Sequence, residues 1–304
     1  EREAAQFEAL RGLLAGALQK AAGLARHLGE IDPEAVTDRA ALARLPVLRK
    51  SALIEMQKAE PPFGGLTTRA PAAFAQIFQS PGPIYEPGAA EPDWWRFARA
   101  LHAAGIRGGD VLHNAFAYHL TPAGHMVESG ARALGAAVLP GGVGNTEAQV
   151  TAAADARATA YAGTPDFLKV ILDRAAELGR ELAIARALVS GGPLFPSLRE
   201  DYASRGIACL QCYATADLGL VAYETPAEGG GPNPGMVVDE GVILEIVRPG
   251  TDDPVAPGEV GEVVVTSLNA DYPLVRFATG DLSAIMEGLS PCGRTNTRIK
   301  GWMG

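Results

Sequence analysis

In Thr159-Ala160-Tyr161-Ala162-Gly163-Thr164-Pro165-Asp166-Phe167-Leu168 a short apolar run gives way to a helical pattern that continues to residue 178. An apolar run that brief suits a buried strand. Working outward, residues 187–190 and 208–213 read as further strands with a helix at 197–204 between them. Upstream, 94–104 is helical, 110–116 a strand, 124–134 a helix and 136–139 a strand. Strands alternating with helices predict a largely parallel, helix-covered sheet. Before it, Phe7, Leu10, Leu13, Leu14, Leu18, Ala21 and Leu24 recur at helical steps, so residues 4–28 form one amphipathic helix. Ile31-Asp32-Pro33 breaks it, and residues 45–51 turn into a short helix with Ser51 as candidate N-cap. Residues 73–78 read as a buried strand entering a Pro- and Gly-rich loop at 80–88. Beyond residue 229 the segments 235–239, 242–248 and 261–267 are β-rich and separated by turn clusters, the pattern of antiparallel strands. The predicted fold class is therefore α/β, helix-covered, largely parallel sheets followed by a smaller antiparallel β-rich subdomain. Its organisation is 1–70 helical, 71–228 α/β core and 229–304 β-rich.

At 304 residues, 47% hydrophobic and 20% charged, the chain is long and apolar enough for a sizeable core. A net charge of -9 repels a phosphate backbone and argues against nucleic acid as partner. Cys209, Cys212 and Cys292 build no disulfide framework. No run approaches the ~18 apolar residues of a membrane span. Residues 1–6 lack the basic and apolar regions of a signal peptide, and a cytoplasmic protein without membrane contact is expected. His113, His119 and His125 recur at every sixth residue, which suits structural roles better than a shared metal site. Cys209-x-x-Cys212 lies in an apparent strand and reads as buried thiols rather than zinc ligands.

The segment Tyr272-Pro273-Leu274-Val275-Arg276-Phe277-Ala278-Thr279-Gly280-Asp281-Leu282 places an acidic side chain directly after a glycine. Asp281 can accept from two vicinal hydroxyls or simply turn the chain. As a whole the segment resembles the core motif of the adenylate-forming (AMP-binding) acyl/aryl-CoA synthetase superfamily, in its phenylacetate-CoA ligase-like branch. Gln211-Cys212-Tyr213-Ala214-Thr215-Ala216-Asp217-Leu218-Gly219 is similar to that family's Tyr-Gly-x-Thr-Glu-x-Gly. Ser190-Gly191-Gly192-Pro193-Leu194-Phe195-Pro196-Ser197 resembles its glycine-rich adenine loop, and also reads as a strand-to-helix turn with Ser197 as N-cap. Residues 45–51, 113–118 and 141–147 match in order, so the resemblance extends over nearly the whole chain.

The resemblance implies that Asp281 holds the ribose hydroxyls, Tyr213 stacks on adenine beside Ala214, Gly191, Gly192 and Pro193, and Asp217 carries Mg²⁺. Tyr213 and Asp281 are then expected to serve one nucleoside. Arg276 either faces phosphate as a catalytic residue or makes a structural ion pair. Phe116, Tyr118, His119 and Gly142 are expected to border an acyl pocket suited to a flat aryl acid; the alternative is that the aromatics are ordinary core or rim residues. Residues 290–304 resemble the run into the family's hinge, and the small C-terminal domain with its adenylation lysine is expected to lie beyond this sequence.

Two departures stand out. Where the family has a hydroxyl- and glycine-rich phosphate loop, this chain has Ser80-Pro81-Gly82-Pro83-Ile84-Tyr85-Glu86-Pro87, whose prolines lack N–H donors and whose Glu86 would add charge near a polyanion. Ala216 replaces a hydroxyl, and Asp217 is one methylene shorter than glutamate. The resulting expectation is ATP-dependent activation of a carboxylic acid, aromatic by the pocket, to acyl-AMP and then acyl-CoA. ATP/AMP and Mg²⁺ would be the cofactors, coenzyme A the co-substrate and a homodimer the default assembly, with little ligation by this segment alone. The alternative is a non-catalytic relative that binds an acyl or adenosine ligand as sensor or accessory subunit.

Overall fold

The computed structural model describes residues 1–304. They form two compact units: Glu1–Ala89, Val238–Leu289 and Thr295–Gly304 make the first, Ala90–Val237 and Ser290–Arg294 the second.

The first unit opens with α1 (Arg2–Lys20), which buries Phe7, Leu10, Leu14 and Ala17 on one face. The single helix read from the periodicity is in fact two, because the chain kinks at Ala21 before α2 (Ala22–Leu28). The kink brings Gly23 against Gly65, whose carbonyl accepts from the Gly23 N–H at 2.8 Å. A Cβ at Gly23 would stand 2.0 Å from the Gly64 oxygen, so only glycine permits that approach. After α3 (Arg39–Leu42), the short β1 (Leu48–Arg49) runs directly into α4 (Lys50–Ala59). Ser51 lies inside α4 and is not its N-cap; Arg49 holds that position without a side-chain bond.

The Pro- and Gly-rich segment expected as a loop is an antiparallel hairpin. Strands β2 (Gln76–Ser80) and β3 (Ile84–Gly88) pair from Gln76 opposite Gly88 to Ser80 opposite Ile84. Two of its prolines sit in the turn and Pro87 lies in a two-stranded sheet, where a missing donor is tolerated. Gln57 of α4 caps the hairpin as a strand would, accepting from Tyr85 N–H and donating to Tyr85 C=O, both at 2.8 Å. Glu86 is 1% exposed and contacts the Ser80 hydroxyl. Its carboxylate is therefore withdrawn from solvent.

The second unit holds the α/β core. It comprises α5 (Phe97–Ala103), β4 (Val111–Asn114), α6 (Ala123–Ala133), β5 (Ala137–Pro140), α7 (Thr146–Asp155), β6 (Ala160–Gly163), α8 (Pro165–Glu177), β7 (Arg186–Val189), α9 (Pro196–Ser204) and β8 (Ala208–Thr215). Its parallel strands lie in the order β8-β7-β6-β4-β5. β9 (Gly219–Tyr223) returns antiparallel to β8, and β10 (Met236–Val238) lies beside β9. Tyr161, Leu168, Tyr202 and Ile207 centre a core that packs β6–β8 against α8 and α9. At α9, Pro196 occupies the first turn and Phe195 the N-cap position without a side-chain bond, so Ser197 is not the cap. Proline suits that turn because its missing N–H would be unpaired there anyway.

The remaining strands return to the first unit. β11 (Val242–Val247), β12 (Gly261–Ser267) and β13 (Phe277–Ser283) are antiparallel, and β1 adds parallel to β13, in the order β1-β13-β12-β11. β14 (Ile285–Met286) and β15 (Arg298–Ile299) form a short antiparallel pair. No helix is long and apolar enough to cross a membrane.

Candidate active site

In a parallel sheet, ligands bind beyond the carboxyl ends of the strands, where the winding direction changes. In the second unit that point is β4, with β5 on one side and β6 on the other. The loops leaving β4, β5, β6 and β7 carry the residues expected to contact substrate.

Asn114, buried at the end of β4, shapes the first loop. Its Nδ2 donates to the Tyr118 hydroxyl and to the Gly124 carbonyl, both at 2.8 Å, and its Oδ1 accepts from Phe116 N–H at 3.2 Å. The Tyr118 ring meets His125 edge-on at 5.0 Å. Burial, then the nearby Glu128 carboxylate, drive the Tyr118 phenol above its ordinary range, so it remains a neutral hydroxyl. From β5, Gly142 lies beside Tyr118: a Cβ there would be 3.9 Å from Cδ2 of the ring. Beyond β7, Gly191 lies close to both Thr164 of the β6 loop and Phe116; a Cβ on Gly191 would lie 3.7 Å from Thr164 Cγ2 and 3.9 Å from Phe116 Cε1. The structure thus gathers Phe116, Tyr118, Gly142 and Gly191, and adds Thr164 and His125. His119 stands apart, exposed near the loop tip with its carbonyl accepting from Thr121 N–H.

The Tyr213 motif occupies β8 and the tight turn into β9, so what reads as a linear word is a hairpin. Tyr213 is 9% exposed, Ala214 follows a register shift in the ladder, and Asp217 lies in the turn, also 9% exposed. Arg96 clamps the turn by donating to the Leu218 and Leu220 carbonyls at 2.6 and 3.0 Å. Gly219 passes so near Trp95 that a Cβ would stand 2.8 Å from its carbonyl oxygen. The glycine-rich loop is bonded to the same strand: Ser190 Oγ donates to Cys212 C=O at 2.9 Å and Gln211 Nε2 to Gly192 C=O at 3.1 Å. Gly191 and Pro193 remain exposed on that loop. Glu224 anchors Gln211 N–H at 2.7 Å and pairs with Arg199 through both oxygens; burial outweighs that pairing and raises its carboxyl above the usual range.

In the first unit, Asp281 follows Gly280, whose φ of 83° needs glycine. Its backbone N–H donates to Thr279 Oγ1 at 3.2 Å, and its Oδ1 accepts from the Trp302 indole at 3.2 Å. Leu282 pairs with residues 303 and 304 through two backbone bonds, which places Trp302 there. The structure decides against a phosphate-facing Arg276. Its side chain is 0% exposed and meets Glu245 at 3.1 Å. It also donates to the Ala43, Leu45 and Asp252 carbonyls. Arg276 ties β13 to β11 and to the loops around β1, and is structural.

The contacts of Asn114, Thr164, His125 and Trp302 were not legible in the sequence, although His125 was read as structural and Asn114 and Trp302 lie in the matched segments 113–118 and 290–304, because each contact is made through space. The run Trp94-Trp95-Arg96, which clamps the β8–β9 turn, was read simply as helix.

No family model matches the chain. A phenylacetate-coenzyme A ligase of Thermus thermophilus is 30% identical over 312 residues, covering 97% of this chain and 68% of that protein. The chain belongs to the phenylacetate-coenzyme A ligase family. A second member, from Pseudomonas putida, is 30% identical over 211 residues, 67% of this chain and 47% of that enzyme. The chain thus spans about two thirds of one curated relative and about half of the other. Among solved structures, 2-hydroxyisobutyryl-CoA ligase with 2-HIB-AMP superposes with a TM-score of 0.88 at 24% identity, over 97% of this chain and 66% of that one. ATP-bound MatB from Rhodopseudomonas palustris gives a TM-score of 0.54 at 19% identity, over 76% of this chain and 48% of that one. These likenesses establish the α/β adenylate-forming fold.

Proposed function

We propose that the protein activates a carboxylic acid, by the pocket an aromatic one, to an acyl-adenylate and passes the acyl group to coenzyme A. The observation that carries this reading is the gathering of Phe116, Thr164 and Gly191 beyond the carboxyl ends of β4, β6 and β7. The Phe116 ring offers an aromatic edge there, beside a glycine on which even a Cβ would touch it at 3.9 Å. The Thermus relative, similar over almost the whole chain, is named a phenylacetate-coenzyme A ligase.

In the proposed reaction the acid's carboxylate attacks the α-phosphorus of ATP and pyrophosphate leaves; the thiol of coenzyme A then attacks the acyl carbonyl and AMP leaves. The chain's contribution is positioning and fixed polarity. Tyr213 stacks on adenine beside the main chain of Gly191, Gly192 and Pro193, with Ala214 next to it. In the first unit, taken by itself, Asp281 offers an acceptor for vicinal hydroxyls. Phe116, Tyr118 and Gly142 hold the acyl group, and His119 lies at the outer edge of their loop. The donor set fits Mg²⁺, which is typically held by one or two carboxylates plus substrate phosphates: Asp217 offers a hard oxygen in a turn fixed by Thr215 Oγ1, which accepts from Leu218 N–H at 3.1 Å. Bound there, the ion would neutralise phosphate charge. The three free thiols suit a reducing compartment such as the cytoplasm.

The β2–β3 hairpin supports a second reading, a relative that binds an acyl or adenosine ligand without turnover, because it offers fewer free N–H donors than a glycine-rich loop. ATP–pyrophosphate exchange by the full-length protein with a panel of aryl and aliphatic acids separates the two. Exchange driven best by an aryl acid is the expected result. No exchange with retained AMP binding would select the sensor.

A further inference from the structure

The glycine loop that walls the pocket rests on a buried side-chain pair. In that loop Gly142, Gly144 and Asn145 have φ of 67°, 73° and 46°, so three residues within four positions are left-handed. Glycine gains no conformational preference there and asparagine adopts it only occasionally, so the loop needs outside restraint. Gln149 of α7, 5% exposed, supplies it: Nε2 donates to the carbonyls of Gly142 at 3.0 Å and Gly144 at 2.5 Å.

Those two bonds engage both amide hydrogens and so fix the amide's orientation. Its Oε1 is turned to His113, 2.7 Å from Nε2. An amide oxygen only accepts, so His113 carries its proton on Nε2 and leaves Nδ1 bare. Nδ1 is buried and has no hydrogen-bond partner, and the ring, 0% exposed, meets Tyr161 edge-on at 5.7 Å. A second proton would be placed on Nδ1 with no acceptor; burial correspondingly lowers the imidazole's pKa, only partly offset by Gln149. Gly141 presses on the same pair, since a Cβ there would stand 2.5 Å from Gln149 Oε1 and 2.7 Å from His113 Nε2. Consecutive residues at the end of β4 therefore divide the work: Asn114 holds the loop of Phe116 and Tyr118, and His113 holds the loop of Gly142 through Gln149.

We propose that His113 and Gln149 are positioning residues of the acid pocket, a neutral Nε2-protonated imidazole orienting Gln149 and Gln149 setting the Gly142 wall beside Tyr118. This rests on the reading of Phe116, Tyr118 and Gly142 as that pocket. Three measurements test it: nitrogen NMR of the wild-type histidine ring, amide hydrogen exchange over residues 141–146, and calorimetric titration of an aryl-acid panel and of AMP. Gln149→Leu and Gln149→Glu are compared; the second keeps the shape but, ionised, cannot donate. The expected results are a bare Nδ1, faster exchange in both variants, and acid affinity lower by about tenfold or more, with AMP affinity within about twofold of wild type. A protonated Nδ1, unchanged exchange in a folded variant, or unchanged affinity for acids that wild type binds would each overturn the proposal. Failure of wild type to bind any acid would sink the pocket reading itself and this role with it; the wild-type titration alone identifies that outcome.

Discussion

The Arg276 guanidinium and the Glu245 carboxylate have left water together, and each is sustained by the other. Burial pushes the Glu245 carboxyl above its usual range while Arg276 pulls it back. Removing one partner from such a pair costs about 3–5 kcal/mol, because the other is left buried and uncompensated. Arg276→Ala should lose stability of that order in urea unfolding; a loss below about 1 kcal/mol, the scale of exposed pairs, would contradict the assignment. Cys292 supplies a pH signature. Burial pushes its thiol up, but hydrogen bonds from Ser290, the Arg294 backbone N–H, Thr225 and the Arg294 side chain outweigh this and lower it to about 6. The folded value lies below the ordinary thiol value of 9.0, so its stabilising contribution is complete above that value and is lost as pH falls through about 6. Alkylation by iodoacetamide should label Cys292 with a midpoint near that pH. Cys209 and Cys212, buried and pushed up to about 12, should stay unlabelled until the protein unfolds. At this scale the segments carrying Tyr213, Asp217 and Asp281 stand out in the sequence as motifs, while the ligands assigned to those side chains belong to the proposed function. The choice between roles for Arg276 was not, since it depends on burial.

Among the elements, the parallel strands and their helices were legible because each is a short apolar run or a helical period with turn residues between. The β2–β3 hairpin was not, because its prolines read locally as a loop and its pairing depends on Gln57 of α4 and on Glu86 turning inward. Strand β9 was likewise hidden: the motif Tyr213–Gly219 announces chemistry, while the Arg96 clamp that folds it into a turn lies far upstream. Helices α5 and α6 show how a glycine sets element spacing. A Cβ at Gly130 would stand 2.7 Å from Ala98 N and 2.8 Å from Phe97 Cβ, so α6 can approach only with a bare Cα. Gly130→Ala should therefore destabilise by about 1–3 kcal/mol despite alanine's better helix propensity. A thermal melt decides it, and an unchanged or raised midpoint would contradict the packing.

For the whole molecule, the fold class was legible but the partition into units was not. The first unit gathers three separate stretches of chain, and no local pattern reports that β1 pairs with β13, from Leu48 to Phe277. What the chain does rests on one claim above the others, that Tyr213 at the end of β8 receives an adenine base. Calorimetric titration of AMP into wild type and Tyr213→Ala tests it most directly. Stacking of a base on an aromatic ring is worth ~1–3 kcal/mol, so the variant should bind AMP about tenfold or more weakly while remaining folded. Equal affinities in the two proteins, or no AMP binding by wild type, would contradict the account.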